Sequence, residues 1–354
     1  MKKTDKLLTI AIPAYNSASY LGRCLESLLI SESLRAKVQV IIMNDGSRDS
    51  TSEIAHDYAA KYPQLFTVID KENGNYGSCM NRALSIAEGK FFRTLDSDDT
   101  YDKEAFSTFL GELELSDADM IFCERYVYYE ETSKRDHLKF NLSLPLHKDV
   151  QPSSSYWEDS SLLKIRHVSS LCYKTELLRR INFHWDENVF YTDTEYDFIP
   201  LRYVHKVRFV PSPVYVYFIG RNDQSTKPEV LRKNFHSLDV VANRLLDDFV
   251  KYANTNDVMY PLQKSYLMEE LFLFYLTLRY DGLKHRKEVE VVERKLGNLN
   301  DIYSEFNNEK LYFGPNFIKT YRQGMLPYLV RLYMFRIKRI KWLRRIFGKK
   351  MLDD

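Results

Sequence analysis

Short apolar runs alternate with stretches of helical spacing through the first third of the chain. Leu7–Ile12, Val38–Met43, Leu65–Asp70, Lys90–Leu95 and Asp119–Cys123 have the length and apolar content of strands. Between them, Tyr20–Leu29, Ser50–Tyr62, Tyr76–Ala87 and Asp102–Leu115 carry the spacing of amphipathic helices. A Ser/Asp/Thr cluster caps the second of these, and Gly89 follows the third. Strands separated by helices of about ten or more residues make βαβ units. The predicted fold class is therefore α/β, with a mixed, mainly parallel sheet sandwiched by helices. Ligands on such sheets sit beyond the carboxyl ends of the strands, so the segments after each strand are where chemistry is expected.

From about 125 to 225 the pattern is mixed, with polar connections at Glu130–Asp136 and Gln151–Ser155. Beyond Pro228 the spacing becomes helical and stays so, in Leu238–Phe249, Leu262–Tyr280 and Leu326–Phe347. The expected organisation is a catalytic unit over 1–225, itself divided near 125, followed by a C-terminal helical appendage over 226–354.

The strand ends are unusually polar. After the first comes Pro13-Ala14-Tyr15-Asn16, where the Tyr15 ring could stack on a flat base or simply mark a strand-to-helix turn. After the second comes Asn44-Asp45-Gly46-Ser47, in which Gly46 allows a tight turn and Asp45 could accept the imide N–H of a uracil ring or cap a helix. After the third, Asn73-Gly74-Asn75-Tyr76-Gly77-Ser78 opens a helix and could bring backbone amides near phosphate. It is neither a GxGxxG nor a P-loop, so the NAD-binding and Walker fingerprints are both missing.

The fourth strand ends in Leu95-Asp96-Ser97-Asp98-Asp99. Three carboxylates within four residues repel one another unless a counter-charge is present. Hard oxygen ligands suit Mg²⁺ or Mn²⁺, usually shared with substrate phosphates. An acidic helix start at Thr100–Asp102 is the bland explanation for part of this charge.

Taken together, Ile12-Pro13-Ala14-Tyr15-Asn16, Asn44-Asp45-Gly46-Ser47, Ala87-Glu88-Gly89-Lys90 and Leu95-Asp96-Ser97-Asp98-Asp99 resemble, in order and spacing, the family 2 glycosyltransferases of the GT-A fold. The resemblance spans residues 7 to about 110. It implies inverting transfer from a nucleotide sugar, usually a UDP-sugar, to an acceptor hydroxyl. Pro13, Ala14, Tyr15, Asp45, Asn73 and Asp96 would lie at the donor, and Asp98 and Asp99 at a divalent cation. Residues 1–125 would then bind the nucleotide sugar and 126–225 the acceptor. Where many members read Ala-Arg-Asn, this chain has Cys79-Met80-Asn81, so an arginine that can contact the donor is missing. Gly77-Ser78 resembles a bacterial subset linked to exopolysaccharide or capsule assembly.

An inverting reaction needs a base for the attacking hydroxyl. The family's acidic position falls in Tyr191-Thr192-Asp193-Thr194-Glu195, which makes Asp193 the expected base and Glu195 its competitor. Val214–Arg221 and Gln224-Ser225 resemble the family's Tyr-x-Tyr strand and following loop, so Arg221 and Ser225 are expected to close over the diphosphate. His167 also sits in a segment resembling the subset, but a lone histidine is more often structural.

Composition narrows the picture further. The 354 residues are 44% hydrophobic and 28% charged, enough for a real core and a solvated surface. The 26 Tyr and 21 Phe are mostly packing residues, though some could line a saccharide site. Cys24, Cys79, Cys123 and Cys172 form no CxxC pair, which argues against a zinc ribbon or redox dithiol and fits a reducing compartment. A polar Met1–Lys6 and the lack of any apolar run of about eighteen residues predict a cytoplasmic protein.

Nine Lys or Arg and no acid lie between Arg331 and Lys350, against a net charge of +2 for the whole chain. The body is thus mildly acidic and the end basic, unlike a nucleic-acid binder. Arg331–Phe347 interleaves these charges with Trp and Phe, and reads as an amphipathic helix on the inner face of the cell membrane. Packing on the body or against a partner are the alternatives. For the whole chain, the competing readings are sugar transfer to a polyprenyl phosphate and a non-catalytic nucleotide-sugar or polysaccharide-binding module.

Overall fold

The computed structural model describes residues 6–159, 161–220, 228–281, 284–297 and 299. These fall in two compact units, Met1–Ile219 and Gly220–Asp354.

The first unit is organised by one mixed sheet. Strands β1 (Leu8–Ala14), β2 (Val38–Asn44), β3 (Phe66–Asp70) and β4 (Phe91–Thr94) pair in parallel in the order β3-β2-β1-β4. β1 and β2 are almost wholly buried, as their mainly apolar sequences require of strands covered on both faces, and Thr9 Oγ1 donates to Gln39 Oε1 across the pair at 2.7 Å. The helices α1 (Ala18–Glu26), α2 (Glu32–Arg35), α3 (Thr51–Lys61) and α4 (Asn75–Ser85) connect them. Asp49 ties two of these starts together, accepting from Thr51 N at 3.1 Å and from Ala18 N at 3.1 Å. The short strand β5 (Thr100–Tyr101) leads into α5 (Lys103–Glu114), which Asp102 caps by accepting from Ala105 N at 3.1 Å.

Beyond α5 the sheet departs from simple alternation. β6 (Met120–Tyr129) runs on past the predicted Cys123 and forms a hairpin with β7 (Lys134–Leu138). Next come β8 (Asp149–Val150), α6 (Ser154–Trp157), α7 (Leu162–Ile165) and β9 (Leu171–Lys174). β9 inserts antiparallel between β4 and β6. α8 (Thr175–Arg180) and α9 (Asp193–Phe198) lead to the long β10 (Val207–Ile219), parallel to β6, with a register shift between Val210 and Tyr215. Pro211 and Pro213 occupy that irregular stretch, where proline costs no ladder bond. Since β9 opposes both neighbours, β1, β2, β3, β4, β6 and β10 all point one way. Their carboxyl ends share one edge.

The second unit contains α10 (Pro228–Lys233), α11 (Phe235–Tyr252), α12 (Tyr260–Asp281) and α13 (Arg286–Leu296). Leu238, Val241, Ala242, Leu245 and Leu246 form the buried stripe of α11 at helical spacing. Among the described residues no helix is long and apolar enough to cross a membrane. The segment Arg331–Phe347 lies outside the described residues.

Candidate functional site

The carboxyl edge of the parallel strands gathers most of the residues expected to carry chemistry. Pro13 and Ala14 complete β1 beside Met43 and Asn44, and Asp45 N donates to Ala14 O at 2.9 Å. Tyr15 follows with 48% of its surface exposed, a large ring at the rim of the edge. Asn16 N donates to Ser47 Oγ at 3.1 Å and Asn16 Oδ1 accepts from Arg48 N at 2.9 Å, so the turns after β1 and β2 are locked together.

Asp45 makes the capping contacts that are one of its two expected roles. Only 3% exposed, it accepts from Lys71 Nζ, from Gly74 N at 3.0 Å and from Asn75 N at 2.9 Å. Asn73 Nδ2 adds a bond to its carbonyl at 3.0 Å. The carboxylate is engaged by protein donors because α4 opens here with unsatisfied N–H groups, and Lys71 supplies the counter-charge. Of the amides in Asn73–Ser78, those of Gly74 and Asn75 point at Asp45.

The acidic cluster is compact. Leu95 N donates to Ala11 O at 3.0 Å, which carries the chain past β1, and Asp99 N closes a turn onto Asp96 O at 3.0 Å. Carboxylate oxygens of Asp96, Asp98 and Asp99 lie within 4.8 Å of one another. Asp99 is 1% exposed and accepts from Tyr215 Oη at 2.7 Å and Phe218 N at 2.8 Å. Tyr215 Oη in turn accepts from Asp96 N at 3.2 Å, so one phenol pinches both ends of the turn. Burial, then the charges of Asp98 and Asp96, push Asp99 well above the usual carboxylate range. Three hard oxygen donors facing each other under such repulsion fit a divalent cation. Asp96 and Asp98 are the half-buried members, while Asp99 also anchors β10. Cys24 packs beneath, its thiol 3.7 Å from Asp96 O and pushed well up by burial and by the three aspartates.

Asp193 begins α9, half-buried. Tyr191, two residues earlier, adopts φ +65°, a conformation costly for a bulky residue and common at functional sites. Glu195 is fully buried and its Oε2 accepts from Asp186 N at 2.9 Å, a structural commitment that separates it from Asp193. Tyr76 of α4 lies within electrostatic reach of both Asp96 and Asp193. Its hydroxyl is buried, and its pKa is pushed well up by that burial, then by Asp96 and Asp193.

Two residues that carried no assigned role build this approach. Asn81 Oδ1 accepts from Trp185 N at 2.9 Å while its Nδ2 donates to Trp185 O at 2.9 Å and Glu187 Oε1 at 2.8 Å. Gly77 lies so close to this segment that a Cβ would sit 1.9 Å from Asp186 O. The only hint in the sequence was the Gly77-Ser78 and Asn81 pattern. Arg221 and Ser225 lie outside the described residues.

The profile of Glycosyl transferase family 2 matches residues 9–180. The uncharacterized glycosyltransferase MG025 of Mycoplasma genitalium is 30% identical over 227 residues, covering 62% of this chain and 70% of its own. The minor teichoic acid biosynthesis protein GgaB of Bacillus subtilis is 24% identical over 310 residues, 81% of this chain and 33% of that one. Among solved structures, S. aureus TarS 1-349 superposes with a TM-score of 0.59 at 17% identity, over 94% of this chain and 92% of that one. TarS 1-349 has also been solved with UDP-GlcNAc, and that complex gives a TM-score of 0.52 at 17% identity over 90% of this chain and 92% of that one. With the GT-A architecture, the acidic turn at the end of β4 and these relatives, the chain belongs to glycosyltransferase family 2.

Proposed function

We propose that the protein is an inverting glycosyltransferase that moves a sugar from a UDP-linked donor to an acceptor hydroxyl, in the assembly of a cell-surface polysaccharide. The observation carrying this reading is the acidic turn after β4, where carboxylate oxygens of Asp96, Asp98 and Asp99 lie within 4.8 Å of one another at the carboxyl edge of the sheet. In this reading Pro13, Ala14 and the exposed Tyr15 ring receive the base, with Asp45 and Asn73 holding the loop beneath it. Asp96 meets the ribose. A Mn²⁺ or Mg²⁺ ion held by Asp98, with Asp99 behind it, would offset charge on the departing diphosphate. Asp193 takes the proton as the acceptor oxygen bonds to the anomeric carbon, and the carbon–oxygen bond to the diphosphate breaks with its electron pair leaving on phosphate. Arg221 and Ser225 close over the diphosphate.

The burial of Glu195 supports Asp193 as the base, and the UDP-GlcNAc complex of TarS supports a uridine nucleotide. The name of GgaB supports a cell-surface polymer as the acceptor. A panel of nucleotide sugars, assayed for hydrolysis and thermal shift with Mn²⁺ present, tests the reading. Stabilisation and slow hydrolysis confined to UDP-sugars are expected. A response to none of the panel would sink it.

A further inference from the structure

Ser169, wholly buried ahead of β9, is gripped by two buried guanidiniums. Arg93 Nη2 donates to its carbonyl, and Arg125 Nη1 donates to its hydroxyl at 3.1 Å. That hydroxyl lies 2.8 Å from His167 Nδ1, and the Ser169 N–H reaches the same nitrogen at 3.2 Å. A backbone N–H can only donate, so Nδ1 is an acceptor and a neutral ring must carry its proton on Nε2. Burial, with Arg125 and Arg166 close by, pushes His167 well below the usual histidine range and keeps the ring neutral. The result is a relay in which guanidinium donates to hydroxyl, and hydroxyl to imidazole, ending at Nε2–H.

Buried ring nitrogens are mostly hydrogen-bonded, to protein or to water. Here Nδ1 is served twice, while among the described residues Nε2 has no partner. The ring lies 5.5 Å from that of Tyr217, and the flanking β10 residues Tyr215 and Phe218 donate to Asp99. His167 therefore stands beside the stretch of β10 that holds the acidic turn. Two guanidiniums beside it favour an oxygen bearing negative charge over a neutral hydroxyl. We infer that His167 contacts substrate, donating from Nε2 to an anionic phosphate or carboxylate oxygen, with Ser169 and Arg125 as its positioning residues. The inference rests on the glycosyltransferase reading for its substrates. The anion is either the diphosphate of the donor or an acidic group on the acceptor.

Imidazole nitrogen resonances of the ¹⁵N-labelled full chain test this without turnover. The free protein is expected to show a neutral Nε2–H tautomer at His167. UDP with Mg²⁺ should move that resonance if the donor diphosphate is the anion. Glycerol 1-phosphate, added to the UDP-saturated protein, should move it if the acceptor supplies the anion. An Nδ1–H tautomer, a charged ring, or no movement with either probe overturns the inference.

Activity gives the second readout. His167→Phe should slow transfer about tenfold to hundredfold, while His167→Gln, which keeps an N–H donor, should recover most of the loss. The pH profile should keep its shape in both, because the ring donates and does not titrate. An acid limb that disappears in His167→Gln would make the residue a base and refute the inference. If no sugar nucleotide is turned over, the functional reading fails while the imidazole spectra still decide this point.

Discussion

Asn81 and the main chain of Trp185 exchange two hydrogen bonds, each 2.9 Å, across 104 residues of sequence. They dock the strand-free segment before α9 onto α4, the helix that carries Tyr76. Asn81→Ala strands a buried N–H and carbonyl of Trp185, a cost of about 1–3 kcal/mol. Gly77→Ala must displace the Asp186 carbonyl and should cost about as much. Both variants should melt several degrees lower and lose transfer more than UDP affinity. UDP binding that falls in step with turnover would show that the clamp does not act through Asp193.

Asp98→Ala should abolish transfer and the dependence of UDP affinity on divalent cation, while the melting temperature without ligand stays the same or rises as repulsion in the turn is relieved. Calorimetric titration of UDP with Mn²⁺ and with EDTA checks this. Equal affinity under both conditions in the unaltered protein would remove the cation from the mechanism.

Asp193→Asn keeps the shape of the side chain but cannot take a proton at neutral pH. A positioned base contributes about 10²–10⁴-fold, so turnover should fall by that order with donor affinity unchanged. Glu195→Gln is the control: its cost should appear in stability, through the bond from Asp186 N, and little in chemistry. Exchange of these outcomes would assign the base to Glu195. If neither slows transfer, the acceptor is already an anion, such as a polyprenyl phosphate.

Arg208 Nη2 reaches Glu112 Oε2 at 2.7 Å, and its Nη1 reaches Asp149 Oδ1 at 2.9 Å. Burial alone would raise Glu112, yet hydrogen bonds from Arg208 and His147 hold it below its ordinary value. Burial likewise opposes Asp149, which the Asp117 N–H and Arg208 hold down. A carboxyl lowered on folding lends stability that is complete above its ordinary pKa and fades as pH falls through the depressed one. The difference in urea stability between the protein and Arg208→Gln should therefore be full at neutral pH and shrink on acidification below about pH 4. A difference that is constant across that window would show that Arg208 acts by packing alone.

The basic stretch Arg331–Phe347 is proposed to seat the enzyme on anionic lipid, each Lys or Arg near such a surface contributing about 1 kcal/mol. Truncation after Gly324 should weaken sedimentation with acidic vesicles, and added salt should weaken binding of the full chain. Equal binding of both forms would reject the lipid.

The nucleotide half was legible because its strands are mainly apolar runs and its connections are helical. β1 and β2 match their expected limits to within two residues. The sheet beyond was less so. β9 is four residues long, and nothing in Leu171–Lys174 says that it enters between β4 and β6. β10 contains Pro211 and Pro213, which read as breakers until the register shift accommodates them. At the site, the acidic turn announces itself through like charges in a row. The Asn81 clamp, the Lys71–Asp45 pair and the Ser169 relay left no such trace. Each depends on partners brought together from far along the chain, and a solitary Asn or Ser has no periodicity to detect.

The reversed direction of β9 has a consequence for protein engineering. An antiparallel strand joins two parallel blocks without a crossover of fixed hand, so the four residues of β9 couple the β3-β2-β1-β4 block to the β6–β10 pair within the sheet. A graft that exchanges β6 and β10 for those of a relative would therefore have to keep the pairing of Tyr173 and Lys174 with Phe92 and Phe91. With that seam preserved, the nucleotide block keeps its own parallel ladder and can be carried over as a unit.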